Sequence, residues 1–184
     1  MQVYLETERV LLRRFTAADA DLLVDLDSDP AVMRFLNGGM PTPGEVIEHD
    51  TLPRFLGYYE RGDKYGCWAA IEKATGDFLG WFSFWPRDGG SEDEAALGYR
   101  LRQAAWGQGY GTEVSRALIR KGFTELGVQR VVARALTANH ASRRVMEKAG
   151  LTPVRTFRIS RPDLFDGVEQ EVVEYALRRA DWEP

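Results

Sequence analysis

The sequence predicts an α+β fold, a single domain over residues 1–184 in which a mixed, mostly antiparallel central sheet is flanked by helices. Apolar residues make up 44% and charged residues 28% of the 184 residues, a composition typical of a globular protein with one core. Predicted strands and helices are interleaved along the chain. No internal repeat, low-complexity tract or linker separates them, which favours one domain over two.

The N-terminal half predicts a strand, two helical regions and a β-hairpin. Residues 3–16 (VYLETERVLLRRFT) alternate enough for a first strand. A capping box over residues 16–19 opens a helix that is interrupted near Pro30, and residues 42–62 form a second helical region. Residues 64–86 predict two strands joined by a turn at KATGD.

The C-terminal half continues with a polar loop (RDGGSEDE) and a strand over residues 95–102. A glycine-rich loop and a helix follow, and the helix presents one apolar face for packing on the sheet, formed by Val114, Leu118, Ile119, Phe123 and Leu126. A strand over residues 130–136, a short helix over 141–150 and closing strands around 151–160 and 171–179 complete the prediction.

Composition excludes several classes of protein. No window approaches the roughly 18 uninterrupted apolar residues of a membrane span, and residues 1–15 lack the apolar core of a signal peptide, so we expect a cytoplasmic protein without a membrane partner. One cysteine, Cys67, cannot form an internal disulfide, and its setting (GCWAAIE) predicts a small buried thiol. His49 and His140, the two histidines, have no metal-ligand spacing.

The charge is unevenly distributed. Between Arg100 and Arg161 there are thirteen basic and three acidic residues, although the whole chain has a net charge of -4. A polyanion therefore suits this segment, while the acidic remainder suits a cationic partner. The chain as a whole is acidic and has no nucleic-acid-binding motif, so nucleic acid is not the expected anion.

The glycine loop (WGQGYG) lies between a predicted strand and a predicted helix. It fits neither the dinucleotide motif G-x-G-x-x-G, which would need glycine where Thr112 or Val114 stands, nor the P-loop, because no Gly-Lys-Ser/Thr follows. Bare backbone at a helix N-terminus instead predicts a nest of N–H groups, from Gln108 to Thr112, that binds a pyrophosphate.

Two longer segments carry a family resemblance. LGYRLRQAAWGQGYGTEV, followed by NHASRRVMEKAGL, resembles the signature segments of the GNAT superfamily of N-acetyltransferases, in particular the branch that acetylates ribosomal-protein N-termini. The segments ERVLLRRFTAADADLL, DPAVMRFL and DGVEQEVVEYAL are similar to that branch too, so the resemblance covers nearly the whole chain.

The resemblance implies that acetyl-CoA is the acyl donor. It places the pyrophosphate cradle at Gln108, Gly109, Tyr110, Gly111 and Thr112, and the backbone that holds the pantetheine arm at Leu101, Arg102 and Gln103. Asn139 stands where the family has an asparagine near the pantetheine, and Ser142 where a small residue faces the thioester. For both, N-capping of a helix is the alternative. Trp106 stands where the family motif usually begins with Gln or Arg.

The catalytic groups depart from the family pattern. Ala96 and Met146 stand where many relatives have a glutamate base and a tyrosine acid. Glu94, with Glu92 beyond it, remains as a base acting through water, or as a charge at the edge of a loop, and Ser142 remains as the group that protonates the leaving thiolate. These departures keep a non-catalytic acyl-CoA-binding or sensing domain open as the alternative to an N-acetyltransferase.

The expected acceptor is a primary amine, on a peptide N-terminus or a small molecule, and a homodimer is compatible with the sequence. An α-amine with a pKa near 8 is partly neutral at neutral pH and needs only a weak base. Strand alternation places Trp81 and Trp85 on the face opposite Phe82 and Phe84, and one pair could line an aromatic, acid-rimmed acceptor pocket.

Overall fold

The computed structural model describes residues 2–86, 91, 93–161 and 163–184. The predicted polar loop lies largely outside these residues, and so does Glu92. The chain divides into two compact units, one formed by Met1–Trp85 and Tyr99–Tyr110, the other by Pro86–Gly98 and Gly111–Pro184. Whether they fold as one domain stays a prediction.

The first unit combines an antiparallel sheet with helices. Its strands are β1 (Val3–Glu6), β2 (Val10–Arg14), β3 (Gly66–Glu72) and β4 (Phe78–Pro86), hydrogen-bonded in the order β1-β2-β3-β4. Its helices are α1 (Ala20–Ser28), α2 (Pro30–Asn37), the short α3 (Gly44–Val46) and α4 (Leu52–Tyr59), with a wider helical turn, Ile47–Thr51, joining α3 to α4. The predicted β3–β4 hairpin is confirmed.

The first predicted strand is wrong in one respect, because the chain turns back on itself within it. The backbone N–H of Thr7 donates to the carbonyl oxygen of Val10 at 2.8 Å, and the Thr7 hydroxyl accepts the N–H of Val10 at 3.0 Å. This turn separates β1 from β2, which pair antiparallel.

Both predicted helix signals near the N-terminus are confirmed. The Thr16 N–H donates to the Asp19 carboxylate at 2.7 Å, and Arg13 donates two hydrogen bonds of 2.8 Å to it. Burial raises the pKa of the Asp19 carboxyl, but the hydrogen bonds from Arg13 and Thr16 outweigh burial and leave this pKa below its ordinary value. Pro30 ends α1 and begins α2, whose first turn Asp29 caps.

Burial of apolar side chains holds the first unit together. Its core cluster is formed by Phe15, Leu23, Leu26, Val32, Ile47, Leu52, Phe55, Cys67, Ala69 and Phe78. Cys67 is fully buried, as predicted, and burial raises the pKa of its thiol, so the thiol is an inert packing group.

Gly80 allows β4 to approach the end of β5 (Glu94–Leu101) closely. Gly80 has φ +135°, and a Cβ atom there would lie 2.1 Å from the carbonyl oxygen of Arg100. The register of β3 against β4 shifts at this point, so Gly80 lies at a β-bulge.

The second unit contains most of β5 and all but the first residue of α5 (Tyr110–Thr124). It also contains β6 (Arg130–Leu136), α6 (His140–Lys148), β7 (Thr152–Ile159) and β8 (Gln170–Arg178). Its strands are hydrogen-bonded in the order β5-β6-β8-β7. β5 and β6 run parallel, whereas β6–β8 and β7–β8 run antiparallel. The predicted α+β class with a mixed, mostly antiparallel sheet is confirmed.

Candidate active site

The glycine loop leads directly into helix α5. Gly107 and Gly109 have φ of +72° and +85°, a conformation that L side chains rarely adopt, and α5 begins at Tyr110. The first N–H groups of a helix have no partner within the helix and carry partial positive charge. The five predicted cradle residues, 108–112, are therefore the end of this loop and the first turn of α5.

Contacts within the first unit hold this loop in place. The Arg9 guanidinium donates a hydrogen bond of 2.9 Å to the carbonyl oxygen of Gln108 and lies 4.4 Å from the ring centroid of Tyr110. The Tyr110 hydroxyl donates to the Glu72 carboxylate. The Gln108 side chain donates to the carbonyl oxygen of Ala104 at 2.6 Å. No sequence pattern indicated Arg9 or Glu72 as part of the site.

The strand end predicted to hold the pantetheine arm already uses most of its backbone groups. The Arg102 N–H donates to Leu79, and the carbonyl oxygens of Arg102 and Gln103 accept N–H groups from Ala105 and Trp106. The Leu101 carbonyl oxygen accepts the Trp106 indole N–H. Whether the backbone of Leu101, Arg102 and Gln103 holds the pantetheine arm stays a prediction.

Asn139 and Ser142 lie together at the N-terminus of α6. The Asn139 side chain accepts a hydrogen bond of 3.1 Å from the Ser142 N–H, so the capping alternative for Asn139 is present in the structure. The Ser142 side chain is half-buried, and Met146, one turn further, is 4% exposed. A contact of either Asn139 or Ser142 with the cofactor stays a prediction.

Glu94 is paired with a cation. Its carboxylate forms an ion pair with Arg130, the first residue of β6, and the Glu94 side chain is 13% exposed. The pairing follows from the parallel register, which places the two residues opposite each other. The Glu94 carboxylate is thus engaged by a cation, and its role as a base stays a prediction.

The aromatic residues of β4 alternate as predicted. Phe82 and Phe84 are fully buried, whereas Trp81 and Trp85 are half-buried on the other face. There they pack against α4, with the rings of Phe55 and Trp81 5.7 Å apart and those of Tyr58 and Trp85 4.9 Å apart.

Cations of the chain itself occupy this aromatic face. The Arg100 guanidinium lies 5.1 Å from the Trp81 ring and pairs with Asp27, which is buried, and the Arg61 guanidinium lies 5.6 Å from the Tyr58 ring. Arginines therefore contact this aromatic face, and an acceptor pocket there stays a prediction.

Acidic residues neutralise part of the basic segment. In the second unit, Glu174 is buried and accepts hydrogen bonds from Arg134 and Arg155, while Arg158 pairs with Glu169. Among the described residues, no group of three His, Cys, Asp or Glu side chains could hold a metal ion. No helix in the described ranges is long and apolar enough to cross a membrane.

The sequence and the fold have counterparts among known proteins. A sequence model of the acetyltransferase (GNAT) domain matches residues 9–152. The chain therefore belongs to the GNAT acetyltransferases. It is 32% identical over 188 residues to an FsC-acetyl coenzyme A-N(2)-transacetylase of Aspergillus fumigatus, an alignment that covers 98% of this chain and 78% of the relative.

Two solved structures illustrate the similarity of fold. A GNAT-family acetyltransferase from Bacillus anthracis superposes with a TM-score of 0.77 at 21% identity, over 98% of this chain and 99% of the other. RimL, a ribosomal L7/L12 alpha-N-protein acetyltransferase solved in complex with coenzyme A, gives a TM-score of 0.78 at 18% identity, over 96% and 98%.

Family membership supports the first of the two functions that the sequence left open. The protein is an N-acetyltransferase that uses acetyl-CoA as its donor and an amine as its acceptor. Glycines of positive φ lie directly before the start of α5, as an anion site at a helix N-terminus requires, and binding of the donor's pyrophosphate there stays a prediction.

Proposed function

We propose that the acceptor is a primary amine of low pKa, such as the α-amine of a peptide N-terminus or of a small molecule. The ion pair between Glu94 and Arg130 carries this proposal. Glu94 is the only carboxylate in the β5 sequence, and Arg130 neutralises it. An enzyme without a strong base on this strand favours an amine that is already partly neutral.

The magnitudes support an α-amine over a lysine. At pH 7.5 the free energy needed to deprotonate an amine of pKa about 8 is less than about 1 kcal/mol. For a lysine side chain of pKa about 10.4 it is about 4 kcal/mol. Among the relatives, the Aspergillus fumigatus enzyme is named for transfer to an N(2) atom, and RimL for transfer to an alpha-N position. Both names agree with the proposal.

For the donor, we propose that the backbone of residues 108–112 binds the pyrophosphate and that the backbone of Leu101, Arg102 and Gln103 holds the pantetheine arm. Asn139 would orient that arm while capping α6. The Ser142 hydroxyl would donate a proton to the leaving thiolate, and Glu94 would accept the amine proton through water.

Three further proposals concern the protein as a whole. We propose that residues 1–184 act as one domain, that the protein is cytoplasmic and that a homodimer is compatible with the sequence. An ordinary globular composition supports the first. The third is checked by sedimentation equilibrium of the purified protein.

A panel of acceptors tests the proposed function. Release of free CoA from acetyl-CoA is measured at neutral pH with a peptide that has a free N-terminus and no lysine, with the N-terminally blocked peptide carrying one lysine, and with small α-amino amides. We expect turnover with the α-amines at least ten times faster than with the lysine peptide. Equal or faster turnover of the lysine peptide would overturn the proposal.

A further inference from the structure

Arg9 reaches the glycine loop across 99 residues of sequence. It precedes β2, and its Nη1 atom donates to the carbonyl oxygen of Gln108 at 2.9 Å. The backbone carbonyl of Arg9 accepts the N–H of Lys73 at 2.8 Å, next to the end of β3. Arg9 is thus fixed at its backbone by the sheet while its side chain contacts the loop.

Tyr110, the first residue of α5, is held at two points. Its ring lies under the Arg9 guanidinium, and its hydroxyl donates to Glu72. The hydrogen bond from Tyr110, with a second from Thr75, lowers the pKa of the Glu72 carboxyl, and the charge of Arg9 acts in the same direction. Tyr110 is only 4% exposed, so these two contacts hold a buried residue at the end of the glycine loop.

The Arg9 guanidinium also lies beside the loop glycine itself. A Cβ atom built on Gly109 would stand 3.4 Å from Arg9 Nη2, which is ordinary van der Waals contact. Gly109 is central to the backbone that is proposed to receive the pyrophosphate. A fixed positive charge therefore lies at the edge of that backbone, where it would attract a bound phosphate group.

We propose that Arg9 is part of the acetyl-CoA site, where it positions the turn from Gln108 to Tyr110 and adds positive charge for the phosphates of the donor. This inference rests on the proposed pyrophosphate cradle. The proposed role differs from a purely structural one. Loss of a purely structural arginine would weaken the fold and leave the recognition of phosphate unchanged.

Arg14 provides a matched control. It is the last residue of β2, the strand that Arg9 precedes. Its guanidinium stands 4.7 Å from the ring centroid of Tyr59, and it pairs with Asp63. Arg9→Met and Arg14→Met therefore remove the same kind of cation–π contact, and the Arg14 change leaves the glycine loop untouched.

The experiment compares two donors. Acetyl-CoA contains the phosphates, whereas acetyl-pantetheine has the same thioester and none of them. Calorimetry gives the Kd of acetyl-CoA, steady-state kinetics with a good amine give kcat and KM for each donor, and thermal unfolding reports the fold.

We expect Arg9→Met to raise the Kd and the KM of acetyl-CoA at least ten-fold, with kcat and the use of acetyl-pantetheine nearly unchanged. Arg9→Lys should recover part of the affinity, and Arg14→Met should bind acetyl-CoA like the wild type. The affinity of Arg9→Met should also depend less steeply on salt.

Two results would overturn the inference about Arg9. One is an unchanged acetyl-CoA affinity in Arg9→Met, and the other is an equal loss with both donors, which would indicate a structural role. Gly109→Val tests the cradle separately. If Gly109→Val binds acetyl-CoA like the wild type, the cradle itself is wrong, and if the wild type does not bind acetyl-CoA, the proposed function fails first.

Discussion

The indole N–H of Trp106 donates a hydrogen bond of 2.9 Å to the carbonyl oxygen of Leu101. This bond spans the helical turn Gln103–Ala105 and joins the end of β5 to the glycine loop, while 46% of Trp106 stays exposed. Trp106 stands where the GNAT motif usually begins with Gln or Arg. Its side chain therefore fixes the connection between the two proposed donor-binding segments.

Replacing Trp106 with Phe should weaken acetyl-CoA binding about five-fold. The phenyl ring keeps most of the apolar surface, but the variant loses one hydrogen bond, which contributes about 1 kcal/mol. Calorimetry with acetyl-CoA measures the change. Trp182→Phe, at a ring packed on Phe123, is the control and should bind normally. Equal affinity of wild type and Trp106→Phe would mean that the backbone bonds alone hold the turn.

Replacing Gly109 with Val should abolish measurable acetyl-CoA binding while the protein remains folded. Valine is strained at the φ of +85° and brings a side chain towards Arg9 and the proposed cradle. Gly76→Val is a matched control, since Gly76 has φ +80° in the β3–β4 turn with nothing within 4 Å of its would-be Cβ. Calorimetry and thermal unfolding should show a similar loss of stability in both variants and lost binding in Gly109→Val alone.

Replacing Gly80 with Ala should lower the free energy of unfolding by at least about 3 kcal/mol. The methyl group would collide with the backbone of Arg100 and Leu101, which cannot move without separating β4 from β5. Gly62→Ala is the control, because Gly62 has φ +109° and open space around it, and should cost about 1 kcal/mol. Urea unfolding of both variants measures the difference, and equal losses would contradict the argument.

Local signals predicted the elements of the fold well. The box of Thr16 and Asp19, the interruption at Pro30 and the KATGD hairpin turn each depend on neighbouring residues, so a sequence pattern contains them. The position of β8 between β6 and β7 depends on which strand edge is available after folding. The turn at Thr7–Val10, by contrast, could have been predicted from the sequence, because polar residues interrupt the alternation of apolar residues there.

The site divides in the same way. The glycine loop was visible because positive φ requires glycine locally, at Gly107 and Gly109. The contacts of Arg9 and Glu72 with Tyr110 were not, since they join residues far apart in sequence and follow no periodicity. The ion pair of Glu94 with Arg130 depends on the register of two parallel strands, which a single sequence does not specify.

Substitutions of Asn139 and Ser142 should affect different steps. Asn139→Ala should raise the KM of acetyl-CoA and lower the stability of the protein by about 1 kcal/mol through the lost cap of α6. Asn139→Ser keeps a capping oxygen, so an unchanged KM in this variant would assign Asn139 to capping alone. Ser142→Ala should lower kcat about ten-fold with little change in KM, and unchanged turnover with a good amine would reject Ser142 as the proton donor.

The Glu94 carboxylate should contribute modestly to turnover. Because Arg130 pairs with it, we expect Glu94→Gln to reduce kcat/KM for an α-amine peptide only two- to five-fold. Arg130→Met is the matched variant, because it breaks the same ion pair and keeps the carboxylate. If Arg130→Met and Glu94→Gln cause the same loss, the pair supports the structure, whereas a loss confined to Glu94→Gln indicates proton transfer.

The pH dependence of turnover decides what kind of amine the enzyme accepts. With saturating acetyl-CoA, kcat/KM for an α-amine peptide should rise with pH and level off near pH 8, where most of that amine is neutral. A lysine peptide of equal length should be slow at pH 7.5 and still accelerate above pH 9, since its neutral fraction keeps growing towards pH 10.4. In Glu94→Gln both profiles should keep their shape, because the titrating group belongs to the substrate. A lysine peptide that reacts faster than the α-amine peptide at neutral pH would require a strong base, and the pairing of Glu94 with Arg130 would then not describe the working enzyme.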